Sequence, residues 1–270
     1  MKGLLKADFY HVRKSKLSLV ILILAVVFPF LMTLLYVGIE VLTTNLAGGT
    51  EDVSMFTANM LLNSVFSLTN NIGMVIPVFA GILVCNDIAN GTLRNKVICG
   101  NRRSEIYLSH LIVSIVFCVV TVLIYAGATA AFGAIFFDFE EVEALQAVYW
   151  AANGVMTFVY IATVATFLAM TCRSTAPTII FTIVFSIALL GIVSLLGFVD
   201  TEKYKYLLHL VPTYSSSAFS IGGINMADFF GPSSSITQAT AFWEGIASFV
   251  FFGILNTVLG IVIFNHRDIK

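Results

Sequence analysis

Six apolar runs constrain this chain more than any other feature. They cover residues 17–39, 60–85, 107–137, 148–171, 177–198 and 242–264. A helix needs about 20 mostly apolar residues to cross the hydrocarbon core of a bilayer, and each run supplies them. Lipid cannot satisfy an open backbone N–H or C=O, so a spanning segment is a helix or a strand of a closed barrel. Barrel strands alternate polar and apolar residues over about ten positions; these runs do not. The sequence therefore predicts an all-α integral membrane protein with six transmembrane helices. The composition excludes an ordinary soluble domain: 59% of residues are hydrophobic and 11% are charged, against about 25% charged in soluble domains. The first run is longer than the apolar core of a cleaved signal, and no small-x-small site follows it. It is read as a retained span. No repeat of fixed period is present, and no segment between runs is long enough for a separate domain. Residues 1–270 are read as one membrane domain.

Lysine and arginine set the orientation. Lys2, Lys6, Arg13, Lys14 and Lys16 precede the first span, and Arg94, Lys96, Arg102 and Arg103 lie between the second and third. Arg173 follows the fourth span, and Arg267 and Lys270 follow the sixth. These are twelve of the 14 basic residues; Lys203 and Lys205 fall on the other side. The positive-inside rule places both termini in the cytoplasm, and loops 40–59, 138–147 and 199–241 outside. On this topology Cys85, Cys99, Cys118 and Cys172 are not external, so free thiols are expected. There is no CxxC pair to suggest a metal site, and no basic stripe to suggest nucleic-acid binding.

Four segments carry possible function. Residues 3–16 place Leu5, Phe9 and Val12 at helical spacing beside Lys2, Lys6 and Arg13, the pattern of an interfacial helix in the headgroup layer. The loop 86–109 is too long for a plain connector. Its middle has Ile88, Leu93, Val97 and Ile98 for an apolar face, bracketed by Gly91 and Gly100. Ser104 and Glu105 then read as the cap and first-turn acid of the third span. In the second span Asn63, Ser67, Asn70, Met74, Pro77 and Gly81 recur at alternating spacings of four and three, so they share one helix face. Asn153, Thr157 and Tyr160 form a weaker stripe in the fourth span. Such faces serve helix packing or line a translocation surface; the spacing does not separate the two. Pro77 is expected to kink the second span, and Pro177 to open the fifth. Finally, 199–241 holds two apolar pieces too short to span, which suit an outer re-entrant hairpin or a cap.

The stretch VFAGILVCNDIANGTLRNKVICGNRRSEIYLSHLI resembles the signature of type-2 ABC transporter permeases. There the second span runs into an acid, Gly-Thr, a short helix, a turn, and an Arg-Ser step into the third span. The matching positions are Asp87, Gly91, Thr92, Gly100, Arg103, Ser104 and Tyr107. This chain departs from the pattern with Gly100 where Pro is frequent and His110 where Lys is frequent. The resemblance implies a permease that pairs with a second permease chain, identical or related, and binds two separate ABC ATPase subunits. It implies that Asp87, Gly91, Thr92, Leu93, Arg94, Lys96, Val97 and Ile98 form a coupling helix contacting the ATPase. Leu93, Val97 and Ile98 would then fill the partner's cleft, with Arg94 and Lys96 at its rim. ATP and Mg would bind in that partner and no cofactor in this chain, which lacks the GxxxxGK[ST] phosphate loop. The candidate translocation surface is then Asn63, Ser67, Asn70, Met74, Asn153 and Tyr160.

The leading expectation is export of a hydrophobic or amphipathic cargo, such as a peptide antibiotic, a drug or a lipid-like molecule. The alternative is an ion-coupled secondary carrier. Such carriers place ionisable residues deep in their spans, and the six runs carry none at their centres. A membrane enzyme has no recognisable site: HExxH and GxSxG are missing. His11, His110, His209 and His266 are scattered, with no spacing that groups them.

Overall fold

The computed structural model describes residues 1–46, 57–66, 75–139, 144–197 and 238–266. All regular structure among them is helical: α1 Lys2–Lys14, α2 Lys16–Leu46, α3 Ala58–Phe66, α4 Val75–Ala89, α5 Thr92–Ile98, α6 Arg103–Phe136, α7 Ala144–Cys172, α8 Thr175–Gly197 and α9 Gln238–His266. Residues 199–237 of the expected hairpin segment, half of the loop 40–59, and Ser67, Asn70 and Met74 lie outside the described residues.

Among the described residues, four helices are long and apolar enough to cross a membrane: Lys16–Asn45, Arg103–Phe136, Ala147–Cys172 and Gly245–His266. The pair α4 and α5, bent by 61° at its break, makes a fifth if counted as one span. The apolar part of α8, Thr175–Leu189, is shorter. Large apolar side chains are exposed along the outer helices: Leu31 and Leu35 on α2, Phe181 and Val184 on α8, Phe251 and Ile254 on α9. In water these would form one continuous apolar surface; toward acyl chains they need no cover.

The core is built around α7, which packs against α4, α6, α8 and α9. One buried cluster joins Val65 and Phe66 of α3, Ile76 of α4, Val122 and Tyr125 of α6, and Trp150 and Phe158 of α7. Phe66 meets Trp150 edge-on at 4.5 Å between centroids. A second cluster, at the end that carries α5, joins Leu4 of α1, Val84 of α4, Leu93 of α5, Tyr107 of α6, Met170 of α7 and Phe264 of α9. The region expected to form the second span thus contains two helices, α3 and α4, that share the first cluster. Pro77, expected to kink the second span, is the third residue of α4 as described; residues 67–74 before it lie outside the described residues.

α1 covers the stretch expected as an interfacial helix over 3–16, with a different inner face. Leu4 and Asp8 are buried, Leu5 and Val12 half-buried, and Phe9 exposed. α6 begins at Arg103 after an extended Arg102 with no side-chain cap, so Ser104 lies inside the helix and not at its cap. Glu105 is in the first turn as expected, 3.6 Å from the Met1 ammonium.

Candidate functional site: the polar cluster under the short helix

Two glycines shape the segment between α4 and α6. Gly91 has φ 70° and Gly100 has φ 84°, a left-handed backbone that costs other L-residues about 1–2 kcal/mol. At Gly91 the chain turns out of α4 into α5. The Thr92 hydroxyl donates to the Asp87 carbonyl at 2.6 Å, which satisfies one acceptor exposed by the end of α4.

α5 has two unlike faces. Leu93 is 5% exposed and packs in the second core cluster, with Val97 half-buried against it. Ile98 is 72% exposed, and Arg94 and Asn95 beside it are exposed as well. The coupling-helix residues therefore do not form one docking surface. Leu93, expected as an anchor in a partner's cleft, packs into this chain's own interior. Lys96, expected at a rim, also turns inward.

Lys96 enters a buried polar cluster made by four helices. Its Nζ donates to Asp8 Oδ1 of α1 at 2.5 Å and lies 2.9 Å from His110 Nε2 of α6. An ammonium has only donors, so Nε2 is the acceptor and the His110 proton sits on Nδ1. That nitrogen faces Asp87 Oδ2 of α4 at 3.6 Å. Asp87 Oδ1 in turn lies 3.0 Å from His11 Nδ1 of α1. Ser109 Oγ donates to Asp8 Oδ2 at 2.6 Å. Asp8, Asp87, Ser109 and His110 are all buried. One oxygen or nitrogen from each of Asp8, Asp87 and His110 falls within 4.8 Å of the others. The Lys96 ammonium contacts two of these three groups and supplies a fixed positive charge. Isolated buried carboxylates are strongly disfavoured, and Lys96 compensates Asp8 by direct contact.

The cluster joins residues that the sequence kept apart. His11 and His110, read as scattered, meet on the two oxygens of Asp87. Asp8 and Ser109 carried no motif. The available signal was an acid four residues after Leu4, on the inner face of α1.

The translocation candidates separate as well. Asn63 lies on α3, while Ser67, Asn70 and Met74 are outside the described residues. Asn153 and Tyr160 on α7 are enclosed within the bundle. The Asn153 carbonyl accepts from Thr157 Oγ1 at 3.0 Å. Tyr160 packs against Phe185 and Phe249 with centroids 6.3 and 6.1 Å away and is hydrogen-bonded to Asn256 of α9. Tyr160 thereby joins α7 to α8 and α9. All four cysteines are free thiols, and Cys85 Sγ lies 3.3 Å from Thr178 Oγ1 on α8.

A comparison with curated proteins gives no match. Residues 4–189 match the family described as ABC-2 family transporter protein, a stretch that runs from α1 through most of α8 and contains the whole polar cluster. The chain is a multi-pass membrane protein that belongs to this family, the membrane permeases of type-2 ABC transporters.

Proposed function

We propose that this chain is the membrane permease of an ATP-driven exporter, and that α5 is where the ATPase subunit docks. The observation that carries the reading is Ile98: an exposed apolar residue beside exposed Arg94 and Asn95, on a helix turned 61° away from α4. The family supports an ATPase partner, and the chain has no phosphate-cradling loop. The positive-inside rule supports a cytoplasmic position for α5 and both termini. The six-span topology follows if α3 and α4 together serve as the second span and α8 as the fifth. A second permease chain, identical or related, would pack against small residues; Ala131 is exposed and nothing approaches within 4 Å of the Cβ position at Gly127 on α6. The substrate path is placed on the second-span face bearing Asn63, Ser67, Asn70 and Met74. A hydrophobic or amphipathic cargo suits the apolar, aromatic-rich spans.

Two substitutions test the docking. A buried interface anchor typically carries about 2 kcal/mol or more, so Ile98→Asp should weaken ATPase association by more than about tenfold with the permease still folded. Leu93→Asp should instead lower the stability of the permease itself, since it places a charge in the core. The measurements are ATPase pull-down and thermal unfolding in detergent. Unchanged association in a folded Ile98→Asp protein removes α5 as the docking site.

A further inference from the structure

A cleft of about 240 Å³ opens between α1 and α4, lined by His11, Lys14, Ser15, Leu83, Asn86 and Asn90. Its walls follow from helical spacing. His11, Lys14 and Ser15 lie three and four positions apart and share one side of the end of α1. Leu83, Asn86 and Asn90 lie along one side of α4 and its exit. The α4 wall is apolar at Leu83, toward the spanning part of the helix, and becomes amide toward its end. The cleft therefore sits where α1 and the start of α2 meet the membrane boundary.

Its chemistry is that of an anion site. Lys14 brings a full positive charge, and its Nζ lies 5.6 Å from the centroid of the Tyr10 ring. Ser15, Asn86 and Asn90 bring neutral donors. His11 has Nδ1 turned to Asp87, which leaves Nε2 as the ring nitrogen for an occupant. Asp87, the acid behind His11, is buried and does not line the cleft. Among the described residues, no carboxylate lines the cleft to hold the ammonium group of a zwitterionic lipid.

We propose that this cleft binds the phosphate headgroup of an anionic phospholipid from the leaflet on the α1 side, with the glycerol and acyl chains leaving past Leu83. The assignment rests on the membrane placement of the chain and not on the exporter reading. The bound phosphate would sit one residue, His11, from the Asp87–His110–Lys96 chain of contacts that reaches α5. Lipid composition would then bear on the position of α5.

The test uses the full-length chain in neutral detergent with dioctanoyl phosphatidylglycerol, followed by native mass spectrometry and thermal shift. Lys14→Ala and Asn90→Leu should each weaken binding, Lys14→Ala by about tenfold for the loss of a charge-assisted contact. Lys2→Ala, which removes an exposed charge at the other end of α1, should leave it unchanged. Equal loss in Lys2→Ala, or no loss in either cleft variant, overturns the site in favour of diffuse attraction to basic residues. Equal binding of dioctanoyl phosphatidylcholine overturns the selectivity. Equal protection by inorganic phosphate makes this a free-anion site and overturns the lipid assignment.

Discussion

Lys96 brings a cation to Asp8, which is 3% exposed, and the pair is held by Ser109 and His110 on its remaining sides. Breaking a buried ion pair from one side costs about 3–5 kcal/mol, because the other charge is left without compensation. Lys96 keeps 15% side-chain exposure, which sets the expectation at the lower end. Lys96→Met should therefore destabilise the protein by about 3 kcal/mol, read as a lower denaturation midpoint in detergent. Asp8→Asn in the Lys96→Met background should recover a large part of the loss; failure to recover would mean that Lys96 acts through packing. The two faces of α5 were legible in the sequence in a way the predicted apolar face missed. At about 100° per residue, Leu93 and Val97 fall about 40° apart, whereas Leu93 and Ile98 fall about 140° apart. One face could not hold all three. The histidine cluster was not legible in this way. His11 and His110 are brought together by the packing of α1 on α6, and no spacing rule encodes that contact.

At the scale of elements, the bend at Gly91 separates α4 from α5, the helix proposed to dock the ATPase. Gly91 has open space where a Cβ would go, so the effect of a substitution there is conformational and not steric. Gly91→Ala should cost about 1 kcal/mol for the left-handed backbone and reduce coupling of ATP hydrolysis to transport. Gly91→Asn should be milder, since Asn enters that region more readily. Equal stability and activity in Gly91→Ala would show that the bend does not depend on glycine. Element positions were otherwise readable where an apolar run is continuous. α6, α7, α8 and α9 extend the predicted 107–137, 148–171, 177–198 and 242–264 by a few residues at one or both ends. The run at 60–85 was less informative. Periodicity shows an apolar stretch but not whether one helix or two fill it, and Pro77 suits a first turn as well as a kink.

For the whole molecule, the distribution of charge predicts which end faces the cytoplasm. Cysteines introduced at Thr50 and Asn95 in a cysteine-free background test it. An impermeant thiol reagent on intact cells should modify position 50 and spare position 95; the reverse pattern inverts the topology. The molecule has a bundle centred on α7, with exposed apolar faces on its outer helices, and a polar end where α1 and α5 share a charge. That shared charge has a mechanical consequence. α5 is fastened at its start by Thr92 to the end of α4 and at Lys96 to Asp8 of α1. A force applied to its outward face is therefore divided between two supports: torque on α4, and a pull on α1 through the buried Asp8–Lys96 pair.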